Sequence, residues 1–320
     1  MLLDFLVIIL GFILLVIGAN LLIKGASNIA KKFHIPEILV GLTIVAIGTS
    51  LPELIVTIIS ATKGSTDLIV GNVIGSNLAN LLLILGITAV IKPVDMEKST
   101  TRIYLPILFA SSVIIIAMGL GIFGGEKFEI NKIEGMVLLI LAVIYFAFPI
   151  LSQIKNIKQS YKEGKEQTEK KYSFISSLIY IAIGAILLKY GGDFVVDGST
   201  NFANKIGISE RVIGLTIVAI GSSLPELITS IIAMIKHDDD IAEGNIIGSC
   251  IVNSLLILGA GATLINLSFE ASLINNLFLL VGIIILIWLF SLANKKNRIT
   301  RNDGILLLCI YGLYIIKLFV

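Results

Sequence analysis

Two fourteen-residue stretches constrain this chain more than anything else in it. Gly41–Leu54 reads GLTIVAIGTSLPEL and Gly214–Leu227 reads GLTIVAIGSSLPEL, with thirteen of fourteen positions identical at an offset of 173 residues. The same offset aligns Gly71–Gly86, GNVIGSNLANLLLILG, with Gly244–Gly259, GNIIGSCIVNSLLILG, eleven of sixteen positions matching. It also aligns Gly18 and Gly25 with Gly191 and Gly198. The chain is an internal duplication. Each copy places one glutamate, Glu53 or Glu226, inside an apolar run. A carboxylate at membrane depth is costly and so marks a functional site.

The surroundings of those glutamates are those of a membrane protein. Of 320 residues, 56% are apolar and 14% charged, with a mean hydropathy of +1.00. Such a chain is polytopic. Charge-free runs near the ~20 residues a span requires recur along it. The expected fold is all-α, with ten transmembrane helices at 3–24, 36–62, 69–91, 103–123, 133–152, 173–192, 209–235, 242–265, 271–293 and 303–319. Residues 1–152 form the first five-helix repeat, with its motif at 41–86. Residues 153–172 form a linker, and 173–320 the second repeat, with its motif at 214–259. Five is odd, so the second repeat inserts upside down relative to the first, an arrangement typical of secondary transporters. Loops on one side carry 17 of the 24 Lys and Arg residues. The positive-inside rule then makes residues 153–172 cytoplasmic and both termini extracellular.

Other chemistries find little support. Cys250 and Cys309 both lie in apolar runs, so neither a disulfide framework nor a zinc site is expected. His34 and His237 fall in short polar loops, and no HExxH, GxSxG or P-loop pattern occurs. The basic residues flank membrane segments, which argues against nucleic acid as a partner. No basic region precedes the first apolar run, so a cleaved signal peptide is not expected. The glycine-rich Met118–Gly125 reads as a helix-packing and turn feature rather than a phosphate cradle.

The residues around each glutamate have a common chemistry. Pro52 lacks an amide donor and clashes with the carbonyl of Gly48, so the helix breaks there. Freed carbonyls must be satisfied in hydrocarbon, and a bound cation can do so. Thr49 and Ser50 precede Glu53 by four and three residues and share its helical face. Gly221, Ser222, Ser223 and Pro225 repeat the pattern around Glu226. Asn72, Ser76 and Asn80 line one face of the next helix, and Asn245, Ser249 and Asn253 line its mate. All are hard oxygen donors, which suits Ca²⁺ or Na⁺ better than copper or zinc. Asn20 and Asn77 read as packing residues. Two carboxylates are neutralised by one Ca²⁺, two Na⁺ or two protons, whereas an empty site leaves like charges poorly hydrated. Movement only when loaded, hence obligatory exchange, is the expectation.

At these residues the chain resembles the calcium/cation antiporter superfamily, and within it the prokaryotic sodium/calcium exchanger branch. GTSLPEL, GSSLPEL and the paired GNxIGS…N segments are similar to that branch's two α-repeats. The resemblance implies Na⁺ influx driving Ca²⁺ efflux by alternating access. It also implies ligand roles for Thr49, Ser50, Glu53, Ser76, Asn80, Ser222, Ser223, Glu226, Ser249 and Asn253, with the backbone carbonyls of Ala46 and Ala219, and sliding of the first and sixth helices against the rest. Some relatives, including potassium-dependent ones, carry Asp at the positions of Asn80 or Asn253, so a K⁺-independent protein is implied. The proton-coupled branch shows GNxxEL where this chain has SLPEL, which favours Na⁺ over H⁺.

The expected function is therefore Na⁺/Ca²⁺ antiport, with H⁺- or K⁺-coupled exchange and a passive cation channel as alternatives. An enzyme is not expected, nor any cofactor beyond the transported ions. Channels usually gain symmetry by oligomerising, whereas this chain holds its symmetry internally, which weighs against a channel. The expected partners are Ca²⁺, Na⁺ and the lipid bilayer, with a monomeric form allowed. Asp238, Asp239, Asp240 and Glu243 read as a solvated turn, or as an electrostatic funnel for cations.

Overall fold

A transmembrane backbone has to satisfy its own polar groups, and this chain does so with helices. The computed structural model describes residues 2–162, 173–207, 221–293 and 297–319. The described helices are α1 (Leu2–Phe33), α2 (Glu37–Thr49), α3 (Leu51–Thr62), α4 (Thr66–Ile91), α5 (Thr100–Gly119), α6 (Lys132–Lys162), α7 (Phe174–Lys205), α8 (Leu224–Ile235), α9 (Asp239–Leu264), α10 (Ala271–Ala293) and α11 (Arg301–Phe319). Seven are long and apolar enough to cross a membrane, and α2 with α3, bent by 46° at their junction, makes an eighth. The expected span at 209–235 is represented by α8, because 208–220 lie outside the described residues. The span at 303–319 corresponds to α11, 19 residues long. The helix expected to end at 152 runs on to Lys162, so 153–162 is helical. Residues 163–172 of the expected linker lie outside the described residues.

Four two-residue strands interrupt the all-helical expectation: β1 (Val94–Asp95), β2 (Glu129–Ile130), β3 (Leu267–Ser268) and β4 (Arg298–Ile299). β1 pairs antiparallel with β4, matching Val94 to Ile299, and β2 with β3, matching Ile130 to Leu267. Asp95 and Arg298 form an ion pair across the first ladder. The offset of 173 carries β1 onto β3, so the two ladders are counterparts in the two copies. In the glycine-rich Met118–Gly125, Met118 and Gly119 end α5 and a turn begins at Leu120, where Gly121 and Gly124 take φ of 70° and 89°.

Chain contacts divide the molecule into two compact units, each assembled from two separated stretches. The first is Met1–Thr49 with Ile144–Gly248. Its frame is the pairing of α1 with α7, which touch through glycines spaced seven apart. A Cβ on Gly11 would meet the Gly191 carbonyl oxygen at 2.8 Å, and one on Gly18 would meet that of Gly184 at 2.9 Å. One on Gly25 would meet the Ser177 oxygen at 2.7 Å, and one on Gly198 the Asp4 oxygen at 3.0 Å. The partners descend along α7 as the positions ascend along α1, so the helices are antiparallel. Small residues let membrane helices approach this closely. Lys205 closes one end of the pair on the buried Asp4 at 2.6 Å.

The second unit is Ser50–Val143 with Ser249–Val320. Its core is built on α4, where Leu78, Leu81, Leu82, Ile84 and Leu85 are buried, with Leu105 and Leu108 of α5. Besides one at Thr100–Tyr104 in α5, two wide π-type turns fall at Ala79–Ile84 in α4 and Asn253–Ile257 in α9. They lie at matching positions of the two copies, and each contains a candidate asparagine, Asn80 or Asn253. Such bulges are frequent at functional sites.

Candidate cation site

Glu53 and Glu226 occupy the same local structure. Each is the third residue of a helix, α3 or α8, that follows a non-helical serine. Ser50 has φ −84° and ψ 8°, and Ser223 has φ −90° and ψ 5°. Pro52 and Pro225 sit in the first turn, where a missing amide leaves no helical bond unmade. Both carboxylates are 1% exposed and lie at helix N-termini, where the helix dipole favours an anion.

In the first unit α2 carries a wide turn of the same kind, at Gly41–Val45. The Tyr145 hydroxyl donates to the Leu42 carbonyl there at 2.8 Å. Glycines bring α2 against the start of α9. A Cβ on Gly244 would lie 2.7 Å from the Ile38 oxygen, and one on Gly248 would lie 2.6 Å from the Leu42 oxygen. This contact fixes Asn245, which is fully buried and ties three elements together. Its Oδ1 accepts from Thr49 Oγ1 at 3.0 Å. Its Nδ2 donates to Ser230 Oγ at 2.9 Å and to the Glu226 backbone carbonyl at 3.3 Å. Thr49 also reaches the Ala46 carbonyl at 3.2 Å, so two expected ligands touch. Ser223 is buried, and its Oγ has no hydrogen-bond partner among the described residues. Ser222 is half-buried. Ala219 lies outside the described residues.

In the second unit Ser76 Oγ stands 3.5 Å from Glu53 Oε1, bringing those two expected ligands together. Ser50, Ser249, Asn80 and Asn253 are each 1% exposed or less. Both amide atoms of Asn80 and the Oδ1 of Asn253 are buried without a hydrogen-bond partner among the described residues. Leaving a buried polar atom unmatched costs about 1–3 kcal/mol, and the oxygens of Asn80 and Asn253, at expected ligand positions, are what a cation would satisfy. Thr57 and Thr229, one turn beyond the glutamates, are fully buried with unmatched hydroxyls as well. Among the described residues no three His, Cys, Asp or Glu side chains cluster as a metal site. Cation ligation here would have to draw on hydroxyls, amides and carbonyls besides a carboxylate.

Asn77 was legible as a packing residue and does cross-link helices: its Nδ2 donates to Ser254 Oγ at 2.9 Å and to the Cys250 carbonyl at 3.3 Å. Tyr145 escaped the sequence reading. Its only signal was a hydroxyl within an apolar span. In the acidic stretch, Asp238, Asp239 and Asp240 are half-buried and Glu243 is 1% exposed, so Glu243 is not part of a solvated turn. Burial holds the Asp238 carboxyl above the usual carboxylate range, and Glu37 pushes it the same way.

A family model described as sodium/calcium exchanger protein matches residues 3–151 and 176–320. Similar proteins include the inner membrane protein YrbG of Escherichia coli, 34% identical over 82% of this chain and 80% of that one. They also include the sodium/calcium exchanger MaX1 of Methanosarcina acetivorans, 30% identical over 99% of this chain and 98% of that one. Among solved structures, the sodium-calcium exchanger NCX_Mj soaked with zero Na⁺ and Ca²⁺ superposes with a TM-score of 0.81 at 30% identity, covering 99% of each chain. The matches run through both copies of the duplicated motif. This chain belongs to the sodium/calcium exchanger protein family.

Proposed function

We propose that the protein is a Na⁺/Ca²⁺ antiporter in which Glu53 and Glu226, with their neighbouring oxygens, bind the transported ions. One observation carries the reading: in each copy a buried carboxylate recurs as the third residue of a helix that follows a non-helical serine. The ligand set is Thr49, Ser50, Glu53, Ser76, Asn80, Ser222, Ser223, Glu226, Ser249 and Asn253, with the carbonyls of Ala46 and Ala219. Hydroxyl, amide and carbonyl oxygens suit the flexible coordination of Ca²⁺. The negative charge of the two carboxylates makes an unloaded crossing unfavourable. Ten helices in two inverted repeats, both termini extracellular and residues 153–172 cytoplasmic, complete the proposal.

The test is ion flux in reconstituted vesicles. Na⁺-loaded vesicles take up external Ca²⁺ faster than Na⁺-free ones, and Glu53→Gln or Glu226→Gln abolishes the difference. Equal uptake by loaded and Na⁺-free vesicles refutes the reading. Uptake driven instead by a pH or K⁺ gradient redirects it to a different coupling ion.

A further inference from the structure

Asparagine is an ambiguous ligand, because its amide can present oxygen or nitrogen to a neighbour. In this chain hydrogen-bond logic removes the ambiguity at one position. The backbone carbonyl of Cys250 can only accept, and it faces the Asn77 amide at 3.3 Å. The atom facing it must therefore be Asn77 Nδ2. Ser254 Oγ takes the same nitrogen at 2.9 Å. Asn77 Oδ1 is then the only side-chain acceptor left on that residue, and Asn253 Nδ2 donates to it at 3.2 Å. The orientation of Asn253 follows: its Oδ1 points away from Asn77, and it is buried without a hydrogen-bond partner among the described residues.

The other copy lacks this relay. The offset of 173 places Cys250 opposite Asn77 and Asn80 opposite Asn253. A thiol is only a weak acceptor. Cys250 turns its sulfur to the Asn77 carbonyl, 3.9 Å away. Both amide atoms of Asn80 remain without a hydrogen-bond partner among the described residues. One asparagine of the pair is locked and the other is not.

We propose that Asn77 is a positioning residue that holds the Asn253 amide with its oxygen turned toward the transported cation. The role rests on the exchange reading above and sharpens it, because the duplicated ligands become unequal. Asn253 is pre-oriented as an oxygen donor, and Asn80 has to be oriented by the ion itself. A ligand oriented beforehand loses less freedom on binding.

The experiment is a double-mutant cycle on Ca²⁺ uptake by Na⁺-loaded vesicles, reading half-saturating Ca²⁺ and maximal rate for wild type, Asn77→Ala, Asn253→Ala and the double variant. Asn77→Ala raises half-saturating Ca²⁺ about tenfold, with a much smaller fall in maximal rate, the loss expected of one mis-set buried hydrogen-bonding group. In the Asn253→Ala background the same change adds little, because the residue it orients is gone. Ser254→Ala, which removes one of the two acceptors that fix Asn77 Nδ2, raises half-saturating Ca²⁺ by a smaller factor, and it stands in should the alanine variant at Asn77 fail to fold. Additive effects, or a fall in maximal rate alone, overturn the proposal. Glu226→Gln is run alongside. Its loss of uptake together with additive Asn77 and Asn253 effects refutes only the positioning role, whereas its full activity refutes the exchange reading itself.

Discussion

Replacing Asn245 by alanine removes three hydrogen bonds at once: 3.0 Å from Thr49, 2.9 Å to Ser230 and 3.3 Å to the Glu226 carbonyl. Hydrogen bonds between membrane helices average about 0.6 kcal/mol, so three of them come to roughly 2 kcal/mol. Thr49 can fall back on the Ala46 carbonyl at 3.2 Å, which trims the loss to about 1–2 kcal/mol. For a chain of this size that is a fall of roughly 2–6 °C in melting temperature. The functional effect is separate from the stability effect. Asn245 Oδ1 is the nearer of the two acceptors for the Thr49 hydroxyl proton, and so biases the direction of the lone pairs left for an ion. Released from that bond, Thr49 is a poorer ligand, and half-saturating Ca²⁺ rises several-fold. Melting in detergent and vesicle uptake measure the two effects independently. An Asn245→Ala protein that melts and binds as wild type would show that the hydrogen-bond triangle contributes to neither.

Two further outcomes are expected. Gly248→Ala drives a methyl group to 2.6 Å from the Leu42 oxygen and 2.7 Å from its Cα, backbone atoms that cannot rotate aside. It should cost about 1–3 kcal/mol, push α2 off α9 and slow uptake, whereas Gly282→Ala, with nothing within 4 Å, should change neither melting nor flux. Asp238→Asn should melt higher than wild type at neutral pH. The raised pKa of Asp238 means that its favourable contribution is complete only below the ordinary carboxylate value of the unfolded chain and is lost as pH rises through the folded value, so the difference should vanish only as pH falls below that ordinary value. A pH-independent difference would count against burial of Asp238 as the cause.

The break at the glutamates was legible because it depends on local rules: proline four residues after glycine, then a carboxylate. The shared face of Ser76 and Asn80 was legible for the same reason, since helical spacing decides it. The wide turns were not. Whether a helix loosens at Asn80 or Asn253 depends on what packs beside it, and spacing carries no trace of that. The helix through 153–162 was misjudged because its Lys and Gln residues read as solvated linker, although both are good helix formers. The paired strands depend on contacts about 200 residues apart in one ladder and about 140 in the other. Asn77 illustrates the general limit. Its type and phase identified packing correctly, but its influence on Asn253 depends on Cys250 and Ser254, which only the folded chain brings to it.

The glycine contacts between α1 and α7 have a mechanical consequence. Where backbone meets backbone at every seventh residue, a slip of one position would drive a side chain into a carbonyl. The two helices are thereby riveted into one strut that cannot shear along its own seam. Because they run in opposite directions, and each begins one copy of the duplication, a push on the strut displaces the leading helices of both copies together, which turns a duplicated gene into a single lever.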